Sequence, residues 1–260
     1  SCPQSYQILR TFTATDECGN STSATQTITI QDTTAPTFNE ALPMDMTVEC
    51  DQVPEMAMLT ATDNCQDVTV LPASSITTGA CPNTYTITRS WSVSDDCGNT
   101  TTHEQTIEVQ DTTAPELTIP ADYTAECNDP HPLDVATATD NCGAVTIEEV
   151  ADTTYSCTNG YVVTRTFTAT DDCGNVASAT QTITIEDTAA PELTIPADYT
   201  AECSDEHPLD APTATDNCGM VTISEMADTV YSCANNYVVT RTFTATDECG
   251  NSVSATQTIT

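Results

Sequence analysis

Lysine is missing from all 260 residues, and the four basic side chains present, all arginine, face 39 aspartates and glutamates, a formal net charge of -35. A surface of this sign repels phosphates, which excludes nucleic acid and anionic membranes as partners. No apolar run reaches the roughly 18 residues that a membrane helix needs, so no membrane insertion is expected in this segment. No charged-then-apolar leader opens the chain, and the sequence starts and stops partway through a repeat. Both features predict a mature or partial piece of a longer secreted protein. His103, His131 and His207 lack Cys/His ligand spacing, which argues against zinc. No Ser/His/Asp set, glycine-rich phosphate loop or isolated carboxylate pair interrupts the repeats, so no enzyme is expected.

What the sequence does have is one loop written four times. Thr168-Ala169-Thr170-Asp171-Asp172-Cys173-Gly174-Asn175 recurs with small changes at Thr13 to Asn20, Ser92 to Asn99 and Thr244 to Asn251. Each copy ends an alternating Thr/apolar run with acids, a cysteine and a Gly-Asn turn signal, which reads as strand, tight loop, strand. The dividing motif Asp-Thr-Thr-Ala-Pro begins at Asp32 and Asp111, with the variant Asp187-Thr188-Ala189-Ala190-Pro191. Counting repeats first gives residues 1–31 as the C-terminal half of an Ig-like repeat, then whole repeats at 32–110, 111–186 and 187–260. The fold class predicted is all-β, a tandem array of Ig-like β-sandwich domains. In the 111–186 repeat, strands are expected over Leu117 to Glu126, near Val135 to Thr139, and over Val145 to Val150, Tyr161 to Thr170 and Ala177 to Ile185. On the fourth, Val163, Arg165, Phe167 and Ala169 share one face and the threonines the other.

Fourteen cysteines at regular spacing predict disulfides made outside the cytoplasm. Each whole repeat has four: Cys50, Cys65, Cys81, Cys97; Cys127, Cys142, Cys157, Cys173; Cys203, Cys218, Cys233, Cys249. Four cysteines allow three pairings. A strand of about ten residues holds Cys157 and Cys173 roughly 33 Å apart, which removes one. If segments alternate up and down, first pairs with third and second with fourth, so two disulfides per domain are expected: Cys50 with Cys81, Cys65 with Cys97, and so on. Cys2 and Cys18 in the half repeat are left without partners.

The same reasoning crowds Asp111, Asp140, Asn141, Asp171 and Asp172 into one corner, pinned by a Cys142 to Cys173 bond, with Glu108 or Glu49 of the preceding repeat near by. Crowded carboxylates repel unless a hard cation sits between them, and oxygen donors on irregular loops suit Ca2+. Over all repeats the expected ligands are Asp32, Asp63, Asp95, Asp96, Asp111, Asp140, Asp171, Asp172, Asp187, Asp216, Asp247 and Glu248. The competing reading makes these aspartates turn formers that cap their own backbone. Arg10, Arg89, Arg165 and Arg241 take one repeated place, read as an ion pair, and Trp91 replaces a phenylalanine in the core.

The paired loops Ala138-Thr139-Asp140-Asn141-Cys142-Gly143 and Ala169 to Asn175, followed by a Thr/Ile strand and Asp-Thr-Thr-Ala-Pro, resemble the hyalin repeat (HYR) and HYR-like Ig-fold modules. These are found in large secreted surface proteins, notably adhesins of Bacteroidetes. The resemblance covers essentially the whole chain. It implies an extracellular, cell-surface stalk or adhesion role and, in that phylum, export by the type IX route. More distantly, the linker Asp and the Ala-Thr-Asp loops are similar to cadherin junctions, where calcium stiffens successive domains, although cysteine inside the loops and a linker that is not Asp-rich depart from that pattern. Asp-Thr followed by Ala, Thr or Val at Thr33, Thr112, Thr153, Thr188 and Thr229 resembles the O-glycosylation acceptor of Bacteroidetes; Asn20 and Asn99 also fit an N-glycan acceptor. Expected partners are neighbouring repeats of the same long chain, other copies in a fibre, and surface glycans or proteins. The alternatives are a glycan- or protein-binding module, or a fibre subunit polymerising by strand exchange.

Overall fold

The computed structural model describes residues 2–202, 210–233 and 236–260. Among them all regular structure is β, in Ig-like arrangement. Two compact units form. One holds residues 1–115 with 140–145 and 170–175; the other holds 116–139, 146–169 and 176–260.

In the first unit, β1 (Tyr6–Thr15) and β2 (Ser21–Ile30) make a hairpin in which Arg10 pairs with Gln26. Then follow β3 (Thr37–Phe38), β4 (Met46–Glu49), β5 (Ala61–Thr62), β6 (Leu71–Thr78), β7 (Tyr85–Ser94) and β8 (Thr100–Gln110). They form a four-stranded sheet, β4-β8-β7-β6, and a two-stranded sheet, β3-β5, with Ile87, Trp91, Val93, Ile107 and Val109 buried.

The second unit repeats this plan. Its first part has β9 (Glu116–Thr118), β10 (Tyr123–Glu126), β11 (Thr137–Thr139), β12 (Val145–Tyr155), β13 (Tyr161–Asp171) and β14 (Val176–Glu186), with sheets β10-β14-β13-β12 and β11-β9. The ends of β12 and β13 belong to loops assigned to the first unit. Its second part has β15 (Glu192–Thr194), β16 (Thr213–Thr215), β17 (Val221–Cys233), β18 (Asn236–Asp247) and β19 (Ser252–Ile259).

The single strand expected over Leu117 to Glu126 is two, one in each sheet. Pro120 has no N–H for a ladder, and the freed chain is held instead by side chains: Gln181 Nε2 donates to the Ala121 carbonyl and the Thr182 N–H to Asp122 Oδ1, both at 2.7 Å. β10 then runs parallel to β14, with Glu126 beside Glu186. The face carrying Arg165, Phe167 and Ala169 is buried as expected, and Gln181, Ile183 and Ile185 on β14 complete it.

Arg165 is 4% exposed; it pairs with Glu149 at 2.7 Å and donates to Gln181 Oε1 at 2.8 Å, while Arg241 does the same with Glu225 and Gln257. Each guanidinium also lies over its neighbouring ring, Phe167 or Phe243. In the 32–110 repeat, Pro72 faces Trp91 where Glu225 faces Phe243. Arg89, without that acid, donates to the carbonyls of Pro54 and Glu55, and Trp91 Nε1 to that of Ala57. A groove of about 380 Å³ opens beside it, lined by Met56, Met58, Leu59, Val70, Pro72 and Trp91.

The expected disulfide pairing is wrong. The bonds are Cys2–Cys97, Cys50–Cys142, Cys81–Cys173, Cys127–Cys218 and Cys157–Cys249. Cys50 with Cys81, Cys65 with Cys97, Cys127 with Cys157, Cys142 with Cys173 and Cys218 with Cys249 do not form, and Cys203 lies outside the described residues. Sheet order explains why. Cys50 follows β4 and Cys81 lies in the β6–β7 turn, with β8 between β4 and β7. Two strand spacings are about 10 Å, beyond the reach of a disulfide. Cys97 is bonded to Cys2 instead, and Cys65 is left free. The first and third cysteines of a repeat bond instead to the second and fourth of the next. Cys18, Cys65 and Cys233 are exposed and have no disulfide among the described residues.

Candidate functional site

Each copy of the repeated loop builds the same turn. Asp171 Oδ1 accepts from the N–H groups of Cys173 and Asn175, and Gly174 takes φ 91°, a left-handed conformation that a Cβ would strain. Asn175 Nδ2 donates to Asp171 Oδ2 at 2.8 Å and to the Asp111 carbonyl at 3.2 Å, tying loop to linker. Asn99 and Asn251 tie Asp95 to Asp32 and Asp247 to Asp187 in the same way. The turn-former reading therefore holds for Asp95, Asp171 and Asp247. Sequence reasoning treated the asparagine as mere turn chemistry; its presence in every copy was the available signal.

The acids beside that turn lack such partners. Asp111, Asp140 and Asp171 bring carboxylate oxygens within 4.8 Å of one another, as do Asp187, Asp216 and Asp247. Asp32 and Asp63 meet likewise, with the Cys65 sulfur. Asp140 Oδ1 accepts from the Cys142 N–H, but Asp140 Oδ2 and Asp111 Oδ2 are buried without a hydrogen-bond partner. The same orphaned pair occurs at Asp32 with Asp63 and at Asp187 with Asp216. Burial first, then the charges of Asp171 and Asp140, push the Asp111 carboxyl above its usual range; burial with Asp216 and Asp247 does this to Asp187. Asp171 and Asp247 go below the usual range despite burial, because the asparagine side chain and loop N–H groups hold the charged form.

Glu49 joins Asp111 and Cys142 in a second close group, and Glu126 joins Asp187 and Cys218. Glu49 Oε1 accepts from the Thr112 hydroxyl at 2.6 Å and Glu126 Oε1 from that of Thr188 at 2.5 Å. All five expected glycan acceptors, Thr33, Thr112, Thr153, Thr188 and Thr229, are exposed, and the hydroxyls of Thr112 and Thr188 are engaged by these glutamates.

Four expected ligands do not join these groups. Asp95 is held in its own turn by Asn99, and Asp96, Asp172 and Glu248 are exposed. Asp172 caps the neighbouring loop, accepting from the Ala144 N–H. Disulfides bracket the 111/140/171 corner, but they are Cys50–Cys142 and Cys81–Cys173, not the expected Cys142 to Cys173. His103 Nε2 sits 2.8 Å from the Pro43 carbonyl and His131 Nε2 3.4 Å from that of Cys127; His207 lies outside the described residues.

The donor set fits a hard cation. At Asp111/Asp140/Asp171 and Asp187/Asp216/Asp247 all donors are carboxylate oxygens, at Asp32/Asp63 the third is the Cys65 sulfur, two carboxylate oxygens at each corner are buried and unpaired, and the surrounding loops are irregular.

No family model matches the sequence, and no curated protein matches it. Among solved structures it is similar to the protocadherin GammaB4 extracellular domain (15% identity, TM-score 0.36, 99% of this chain and 56% of that one). It is also similar to Drosophila N-cadherin EC1-4 (16%, 0.28, 98% and 83%) and to protocadherin gammaB7 EC3-6 (12%, 0.39, 97% and 84%). The chain spans little more than half the length of the first of these. At such identities and scores none assigns a family, and the reading below rests on the acids and cysteines.

Proposed function

We propose that the chain is part of an extracellular, surface-associated adhesive or structural stalk of Ig-like modules beginning at Asp32, Asp111 and Asp187. Calcium at the linker acids and disulfides between successive modules stiffen it together. One observation carries this reading: the buried carboxylate pair left without a donor recurs at Asp32/Asp63, Asp111/Asp140 and Asp187/Asp216. An orphaned ionised oxygen is costly once, and three such pairs at one repeated place call for a common counter-ion. Asp32, Asp63, Asp111, Asp140, Asp187 and Asp216 would hold the ion, with Asp95, Asp171 and Asp247 fixing the loop beside it. The cysteine staples fit an oxidising compartment outside the cytoplasm.

Calorimetry of the full chain with calcium and with a chelator tests this. Calcium should raise the melting temperature, since anything that binds only the folded state stabilises it. Asp140→Asn with Asp216→Asn should remove most of the rise. An unchanged melting temperature would defeat the calcium reading.

A further inference from the structure

We propose that the outer edge of β6, with the groove beside it, is where two copies of this chain meet, their β6 strands pairing antiparallel about a two-fold axis. This contact adds a partner to the stalk reading, which supplies the comparison between repeats, and calcium plays no part in it.

β6, β12 and β17 hold one place in the repeat, the outermost strand beside β7, β13 and β18, and among the described residues no strand pairs with their free edge. All three are exposed along nearly their whole length. A long open edge is a template for another strand unless charge or proline blunts it. β12 is blunted by the exposed acids Glu148 and Asp152, and β17 by Asp228. β6, Leu-Pro-Ala-Ser-Ser-Ile-Thr-Thr, carries no charge. Its neighbour β7 has only Arg89, which is 7% exposed and donates to the carbonyls of Pro54 and Glu55. Pro72 removes a single N–H near the start of β6 and leaves Ala73 to Thr78 able to pair.

The same module has lost acid twice beside that edge. Ala57 and Pro72 stand where the 111–186 repeat has Asp134 and Glu149 and the 187–260 repeat has Asp210 and Glu225. In their place is the groove lined by Met56, Met58, Pro72 and Trp91. Met58 is 92% exposed, and Leu71 and Ile76 are each 66% exposed. An uncharged edge that runs into an apolar groove, on a chain with 39 acids, marks a contact surface.

Charge selects the occupant. At a net charge of -35 two copies repel, and of the three outer strands only β6 lets them meet with no carboxylate between the paired strands. Length agrees, because the opposite edges β4 and β10 have only four residues each. A strand pairing antiparallel with its own copy makes an isologous contact, in which each side gives and takes the same hydrogen bonds. Alternation puts Ile76 on the face of Pro72, which lines the groove. A two-fold axis through the sheet keeps the partner's Ile76 on that face too, where it adds apolar cover.

Sedimentation velocity of the full chain over about 10 to 500 μM, with calcium and with chelator and at about 0.15 and 0.5 M salt, tests this. A monomer–dimer equilibrium should appear with calcium or chelator, which separates failure here from failure of the calcium reading. It should tighten as salt screens the net charge. Ile76→Glu and Ile76→Lys should each weaken the dimer at least about tenfold, and mixing the two variants in equal amounts should restore it, a rescue that misfolding does not give. Val230→Glu on β17 and Thr27→Glu on β2, both at exposed positions, should leave the dimer unchanged. A chain monomeric at every concentration, a dimer that dissolves as salt rises, a dimer indifferent to Ile76, no rescue on mixing, or a dimer broken by Val230→Glu or Thr27→Glu would each overturn the proposal. So would a monomer whose edge takes up a synthetic peptide of residues 70–79, which would assign β6 to a strand of another protein.

Discussion

β1–β2 and β13–β14 carry nearly the same residues through the same turn, yet one pair lies open and the other is core. Arg-Thr-Phe-Thr-Ala-Thr-Asp occurs in both, and Asp16 accepts from Cys18 and Asn20 as Asp171 does from Cys173 and Asn175. The hairpin is therefore local, written in the alternation and the Gly-Asn turn. Burial is not local. In the 111–186 repeat the buried Arg165 takes its ion-pair partner, Glu149, from β12. If that contrast governs stability, Phe167→Ala should cost about 3 to 5 kcal/mol and Phe12→Ala under about 1 kcal/mol, measured by calorimetry of the full chain. Equal costs would mean that the hairpin's face is covered in solution.

Cysteine sharpens the comparison at the next level of effect. Replacing Cys81 and Cys173 together by serine removes one of two staples and should cost about 2 to 4 kcal/mol. Cys18→Ser, in the matching turn of the hairpin, removes an exposed free thiol and should leave the melting temperature where it was. A matching loss for Cys18→Ser would show that this thiol is bonded.

How far the sequence speaks follows from the same division. Strand alternation, turn chemistry and the meeting of Asp111, Asp140 and Asp171 are local or repeat-wise facts, and they were legible. The placing of first and third cysteines at one end and second and fourth at the other was legible too. Pairing was not, because it depends on sheet order: β8 comes between β4 and β7, and no periodicity within one module says so. The roles within the acidic loops were hidden for another reason. Asp171 and Asp172 are neighbours of identical chemistry, and only the turn decides that Asp171 faces inward while Asp172 caps the Ala144 N–H. Buried Gln181 and Gln257 were missed because an amide in an otherwise apolar row, such as that of Ala179, Ile183 and Ile185, reads as a surface residue, and the Arg165 and Arg241 guanidiniums that need them sit on the neighbouring strands.

The smallest expected effect separates the linker acids from the turn acid by pH. A carboxyl whose pKa is raised in the folded state costs stability while ionised, and that cost is relieved as pH falls through the raised value. Asp111 and Asp187 are of this kind. Asp171 and Asp247 are lowered, so their contribution persists until pH drops through values below the ordinary carboxylate range. Between neutral pH and that ordinary range only the first pair acts. The chelated protein should then gain stability on mild acidification, whereas the calcium-loaded protein should lose it as protons compete for the same oxygens. Asp111→Asn with Asp187→Asn should flatten the gain in chelator. Asp16→Asn, in the hairpin turn, should leave it unchanged, because Asp16 is exposed and shares no close carboxylate group among the described residues. A chelated protein whose melting temperature falls steadily from neutral pH would show that Asp111 and Asp187 are not the strained acids.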